Sequence, residues 1–336
     1  MQTSDALGAA NVQIGPAALA LGAEMNKGLG VPYGKIAAFF ATAFSLVVSR
    51  ATWCRANMRL AGKARPTYDA MVLAVRGSVV VYSDETGWKI AGELAWLWVF
   101  VTAEITVIVI RRSRGFDVIE EVLGSEFGGI LGRDGWAAYR KLAAAAHQSC
   151  TRHLVRRADE LHEIARAGEA RFPLAVGRVL RAGLALRDRR EEMSPRGFAV
   201  ARGLLEARMD RVLSGRIEYE PNARFRRHLS KERDAIFTYL YHPWIEATTW
   251  MAEQEIRPGV VNRKTSGGSR SDGGSEAQAI LPSVLRTARR QGREPVGMLV
   301  RLMRSPVPID LGLARGRPGR ARIIPLPRGQ PLAMGA

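Results

Sequence analysis

At 336 residues the chain is long enough for one large domain or two to three smaller ones, and a 47% hydrophobic content supplies a real core, which excludes a wholly disordered protein. The formal net charge of +18 points toward a polyanion, most simply nucleic acid, with an Arg-rich genomic composition as the equally weighted alternative. Two cysteines, Cys54 and Cys150, exclude a disulfide framework and fit a reducing compartment.

Residues Met1 to about Gly28 are Ala/Gly-rich and weakly patterned, and a poorly ordered lead is expected there. No charged start followed by a compact apolar run marks a secretory signal. Val31 to Leu60 carries apolar residues at helical spacing and reads as two short helices, with Ser49 capping the second. Pro66 then begins another helix, closed by Gly77. Residues 1–77 are thus expected to form a helical segment that supports the domain beginning at Ser78.

Val79 to Lys89 is written VVVYSDETGWK: a β-branched apolar run that ends abruptly in Asp84 and Glu85. Strand one is expected over Val79–Tyr82, with Asp84 where the strand leaves the sheet and Trp88–Ile90 continuing it past a turn. Ala95–Thr102 and Ile105–Arg111 read as strands two and three of an antiparallel meander. The apolar run Leu94–Ile110 is interrupted by Glu104 and rich in β-branched residues, so a buried hairpin is expected rather than a membrane helix. Ile36–Val48 falls short of the about 20 residues that a bilayer demands. The expectation is a soluble, cytoplasmic protein without a membrane partner. Phe116–Leu123 reads as a helix, Gly128–Leu131 as strand four feeding Asp134, and Trp136–Ala146 as a second helix. Three strands, helix, strand, helix is the order of a ribonuclease-H-like α/β fold with a mixed sheet, and its first part is expected over 78–149.

From Cys150 to about Leu240 the pattern is helical and charged, which predicts an all-α insertion over 150–240. Helices are expected over Lys231–Tyr239 and Trp244–Arg257, the latter in a second part of the core, 241–292, that carries Glu253. Ser266–Gly274 (SGGSRSDGG) reads as a flexible loop, and Glu276–Arg290 as the last helix. Residues 293–336 are rich in Pro, Gly and Arg and are expected to form a disordered basic tail. From Ile256 onward 15 Lys/Arg stand against 4 Asp/Glu, so the basic excess is concentrated at the carboxyl end.

Asp84 and Asp134, each placed after a strand, make a candidate divalent-metal pair, because hard cations prefer oxygen ligands. Either aspartate alone reads better as a strand-terminating turn residue. By composition Glu246, Glu253 and Glu255 are equally eligible as a third acid. Cys150 and His153 have metal-ligand spacing, but no partner pair accompanies them, and a structural role is the favoured reading. Arg263, Lys264 and Arg270 around the Gly-rich loop suit phosphate contacts, as does Arg257, one helical turn beyond Glu253; a solvated loop is the competing reading.

Seven stretches, SDETGW, WLWVFVT, RSRGFDVIEEVLG, GRDGWAAY, HQSCTRHLVRR, AEQEIRP and RKTSGGSRSDGG, occur in an order that resembles the insertion-sequence-66 type of bacterial transposase, over about Val31 to Gly292. The resemblance implies a ribonuclease-H-like core with an Asp-Asp-Glu triad at Asp84, Asp134 and Glu253. It implies two Mg²⁺ ions, with Mn²⁺ as a substitute, held by these three carboxylates. It also implies DNA as partner, both element ends and target, and a homo-oligomer on paired ends in a bacterial, nucleoid-associated setting. Strand cleavage and then attack of the freed 3′-hydroxyl on target DNA is the implied reaction.

The family pattern has two asparagines before its glutamate and an arginine after it; here Thr249, Trp250 and Gln254 stand in those places. The zinc-binding and helix-turn-helix regions usual at the family's amino end are not seen in this sequence. The alternatives are therefore a catalytically inactive DNA-binding remnant or regulator, a truncated copy, and a ribonuclease-H-like nuclease with another substrate.

Overall fold

The computed structural model describes residues 14–309 and 311. They fall into two compact units, one of residues 14–127, 141–144 and 250–311, the other of residues 128–140 and 145–249.

The first unit opens with α1 (Pro16–Ala23), which runs into a π-helical turn at Glu24–Gly28. Leu19, Ala20 and Ala23 are buried, so residues 16–28 are packed rather than a loose lead; residues 1–13 lie outside the described residues. α2 (Tyr33–Phe44) precedes α3 (Arg50–Arg76), whose first turn is capped by Ser49 Oγ accepting from Thr52 N at 3.1 Å. Pro66 does not start a helix; it lies inside α3. Losing one backbone hydrogen bond there costs less than abandoning a buried stripe that continues through Ala64, Thr67, Tyr68, Met71 and Val75.

β1 (Val80–Ile90), β2 (Glu93–Val101) and β3 (Thr106–Arg111) form the expected antiparallel meander. β1 is longer than predicted: it runs unbroken through SDETG, with Asp84 opposite Val99 and Gly87 opposite Trp96. Asp84 is therefore mid-strand, not at a strand end. The polar residues are tolerated because successive side chains point to opposite faces: Asp84 stays half-buried on one, and Glu85 finds an ion-pair partner, Arg114, on the other. The edge of β3 is closed by α11 (Asp272–Arg290): Thr106 N and Ile108 N donate to Thr287 Oγ1 at 3.0 Å and Ser283 Oγ at 2.8 Å. α4 (Phe116–Leu123) falls where expected.

α10 (Trp250–Ser266) starts later and ends later than predicted, continuing past Pro258, and packs across β1 and β2. The layer between holds Tyr82, Trp88, Ile90, Leu97, Val99, Ala252 and Ile256. The SGGSRSDGG stretch is a tethered connection rather than a flexible loop. Ser269 N donates to Lys89 O at 2.8 Å, and Ser269 O accepts from Ala91 N at 2.8 Å. Gly268 at φ +111° makes that approach possible, since a Cβ there would lie 2.4 Å from Lys89 O. The expected tail begins with a helix instead: α12 (Pro295–Arg304) buries Met298, Leu299, Leu302 and Met303, an apolar stripe that Pro and Arg content had masked. Residues 312–336 of the tail lie outside the described residues.

The second unit contains β4 (Ile130–Arg133) and β5 (Ala146–Ser149), paired parallel. The helix expected over Trp136–Ala146 is absent; a single 3₁₀ turn at Tyr139–Lys141 and β5 take its place. The all-α insertion comes next as α5 (Thr151–Ile164), α6 (Arg171–Asp188), α7 (Pro195–Ser214) and α8 (Glu220–Lys231), with a short α9 (Thr238–Tyr241). The helix predicted over Lys231–Tyr239 is thus split between the end of α8, a 3₁₀ turn and α9. The element order, with antiparallel and parallel strand pairs, is a mixed α/β architecture that fits a ribonuclease-H-like core with helical insertions. Among the described residues no helix is long and apolar enough to cross a membrane.

Candidate functional site

In the first unit, strand alternation divides the SDET carboxylates between two faces. Asp84 shares parity with Tyr82, Trp88 and Ile90, so it belongs to the face covered by α10. Its Oδ1 accepts from Glu85 N at 2.9 Å, and the residue is half-buried. Glu85 points the other way and its side chain is 1% exposed, paired with Arg114 at 2.9 Å. Arg114 in turn lies 4.3 Å from the Trp96 ring centroid. Glu85 is thus committed to a buried ion pair, and Asp84 is the acid of this strand that faces α10.

Glu253 lies in the first turn of α10, beside Ala252, which is fully buried against the sheet. The sequence alone left three glutamates level. Glu255 is taken by Arg286 and Arg290, each at 2.8 Å, one turn apart on α11. Glu246 is paired with Arg187 at 3.2 Å. Neither is positioned on the first turn of α10 beside its sheet-facing residues as Glu253 is. Thr249 precedes α10 rather than lying on it; it is buried, and its N–H donates to Cys150 Sγ at 3.4 Å. Trp250, the first residue of α10, is exposed.

Of the four basic residues expected at DNA, Arg257, Lys264 and Arg270 are exposed. Arg263 is not available in the same way: its Nη1 donates to Gly87 O at 2.6 Å and to Thr86 Oγ1 at 3.2 Å, tying α10 to β1.

In the second unit, Asp134 comes directly after β4, as expected, and is half-buried. Its Oδ1 accepts from Trp136 N at 2.8 Å, an Asx turn that fixes the carboxylate against its own loop. Around it lies a charged cluster. Arg133 and Glu232 are 2% and 1% exposed and form a buried ion pair. Arg140 reaches the other Glu232 oxygen at 2.7 Å, and Ser149 also donates to that carboxylate. Burial alone would push the Glu232 carboxyl up, but the Arg133 charge and these hydrogen bonds hold it below the ordinary carboxylate value. His228, one turn before Glu232 on α8, is pushed down by burial. Neither Arg133, Arg140, His228 nor Glu232 was singled out from the sequence. The available signal was Arg133 itself, a charge inside the strand run GILGRD, which demands a buried partner.

Cys150 ends up at the junction of β5 and α5, as the residue preceding that helix. Burial raises its thiol pKa, yet the neighbouring His153 and the Thr249 N–H outweigh this and hold it below the usual thiol value.

The structure thus gives three half-buried carboxylates, one mid-strand, one on the first turn of a helix packed over that strand, and one just past a parallel strand pair. The model of the family described as Transposase IS66 family matches residues 11–277. A curated relative, Uncharacterized protein y4qI of Sinorhizobium fredii (strain NBRC 101917 / NGR234), is 26% identical over 231 residues, 61% of this chain and 42% of that protein. The matched part therefore spans less than half of that relative's length. Because the family match runs through most of the sequence, the chain belongs to the IS66 family of transposases.

Proposed function

We propose that this chain is the catalytic part of a DNA transposase that cleaves DNA at element ends and joins the freed 3′-hydroxyl to target DNA. The observation that carries the reading is the separation of roles on β1. Glu85 is consumed by Arg114, whereas Asp84 is held on the face over which α10 places its first turn, the turn of Glu253.

The donor set suits a hard divalent cation: three carboxylates, all half-buried, with backbone-fixed Asp84 and Asp134. Asp84, Asp134 and Glu253 would hold Mg²⁺, or Mn²⁺ in its place. When bound, such ions lower the barrier of an in-line phosphoryl displacement by stabilising charge on the attacking and leaving oxygens. This chain's own residues supply position. The Trp136 N–H keeps one Asp134 oxygen turned toward its loop, and β1's ladder keeps Asp84 from swinging. Glu253 sits at the start of α10, where a helix N-terminus favours a negatively charged side chain. Arg257, Lys264 and Arg270 face solvent and would neutralise phosphates without reading base sequence. Assembly as a homo-oligomer on paired DNA ends belongs to the same reading.

The test is calorimetric titration of Mg²⁺ and Mn²⁺ into the protein and into Asp84→Asn, and then a strand-transfer assay. Binding by the protein and at least about tenfold weaker binding by the variant would support the reading. Absence of metal binding by both, even with DNA present, would sink it and leave a DNA-binding transposase remnant. Nicking without joined products would instead point to a nuclease.

A further inference from the structure

The loop that carries Asp134 is held by side chains of the helical insertion. Glu232, the residue that closes α8, grips two arginines. Each arginine also holds a carbonyl of the loop. Arg133 Nη1 donates to Asp134 O at 2.9 Å, and Arg140 Nη1 donates to Gly135 O at 3.1 Å. Arg133 further donates to Ser149 Oγ at 3.1 Å, which anchors it to the end of β5. From the same helix, His228 covers the loop so closely that a Cβ on Gly135 would come within 2.4 Å of its Cε1. Asp134's carboxylate is then oriented by the Trp136 N–H at 2.8 Å. A buried ion cluster of this kind is poor evidence for stability, because desolvation cancels much of its attraction. Its geometry is specific, since planar guanidinium groups fix the direction of each bond they make.

We propose that Glu232 is a positioning residue for Asp134: through Arg133 and Arg140, the all-α insertion sets the backbone of the loop that presents this carboxylate. The proposal rests on the reading of Asp134 as a metal ligand. It assigns the insertion a part in organising the catalytic carboxylates.

The experiment compares the intact protein with Glu232→Gln, Arg140→Met and Asp134→Asn. Three quantities are read: Mn²⁺ affinity by calorimetry, hydrogen exchange of the Trp136 amide, and the thermal midpoint. Arg140 is half-buried, so Arg140→Met is the variant that keeps the fold if Glu232→Gln does not. The expected result is faster Trp136 exchange in both network variants. Mn²⁺ affinity should fall about tenfold for Glu232→Gln and less for Arg140→Met, as outer-shell changes do. A lower thermal midpoint with Mn²⁺ affinity and Trp136 exchange unchanged would overturn the proposal and leave Glu232 a structural residue. Asp134→Asn separates the metal claim from the positioning claim. If it leaves Mn²⁺ affinity unchanged, the metal reading fails, and the Trp136 exchange rates alone decide whether Glu232 positions the loop. If it abolishes binding while the network variants bind as the intact protein does, the positioning claim fails and the metal reading stands.

Discussion

Asp84 sits inside an eleven-residue strand whose backbone is paired from Tyr82 to Ile90, whereas Asp134 comes after a strand of four residues and depends on side chains for its place. Around Asp84 the hydrogen bonds that matter are main-chain ones, so the position is insensitive to which side chains surround it. Around Asp134 the loop carbonyls are held by two guanidinium groups converging on one buried carboxylate. Two ways of holding an aspartate thus coexist, one distributed over a ladder and one concentrated in a few charges. The concentrated kind should be fragile to single substitutions and to pH.

The largest expected effect breaks the concentrated side. Arg133→Met strips Glu232 of its buried partner, and removing one member of a buried pair costs about 3–5 kcal/mol. Urea unfolding monitored at the second unit's tryptophans, Trp136 and Trp244, should show that loss. A change under about 1 kcal/mol would mean that water reaches Glu232 and that the cluster is not what holds the loop. The distributed side is broken more gently. Gly268→Ala forces an alanine to φ +111° against Lys89 O, a strain of about 1–3 kcal/mol. Hydrogen exchange should quicken first at Ala91 and Ser269, whose amides make the tether, while the pairing of Asp84 with Val99 stays protected. Equal loss of protection at both places would show that β1 opens as one piece.

The concentrated cluster that holds the Asp134 loop should also respond to pH. Burial disfavours the charged Glu232, but Arg133, then Ser149 and Arg140, more than offset it, so its folded pKa lies below the ordinary 4.5. The unfolded chain therefore takes up the proton first as pH falls. Stability from this group is complete above about pH 4.5 and is lost as pH drops through the folded value. Acid titration of the fold should show a component that Glu232→Gln removes. The same acid limb in both proteins would place the titrating group elsewhere.

Much of the first unit was legible because its signals are local. The β-branched runs gave β2 and β3, and the FDVIEEVL pattern gave α4 to the residue. Local signals also misled. SDETGW has turn composition, yet alternation lets β1 carry Asp84 and Glu85 on opposite faces without ending. The Ala-rich run after Trp136 has helical propensity, but parallel pairing of Ile130–Arg133 with Ala146–Ser149 overrides it, and such pairing leaves no trace in a short window. Three prolines, Pro66, Pro258 and Pro282, sit inside helices because packing outweighs one lost hydrogen bond. Asp84, Asp134 and Glu253 were singled out together only through motif order. Glu232 was not readable at all, since its partner Arg133 is 99 positions away in sequence.

The smallest expected effect sharpens the comparison at the basic surface. Lys264 is exposed, whereas Arg263 beside it is spent on Gly87 O and Thr86 Oγ1. A residue that neutralises a DNA phosphate contributes about 0.9 to the slope of log affinity against log salt for duplex DNA. Lys264→Met should therefore lower the slope by about that amount, weakening every duplex sequence alike. Arg263→Met should leave the slope near its original value, because its guanidinium is turned to Gly87 O and Thr86 Oγ1 on β1. Its effect should appear instead as about 0.5–1.5 kcal/mol of lost stability, the usual worth of a hydrogen bond. If the slopes of the two variants change places, α10 releases Arg263 when DNA binds, and the tie between α10 and β1 is a latch rather than a brace.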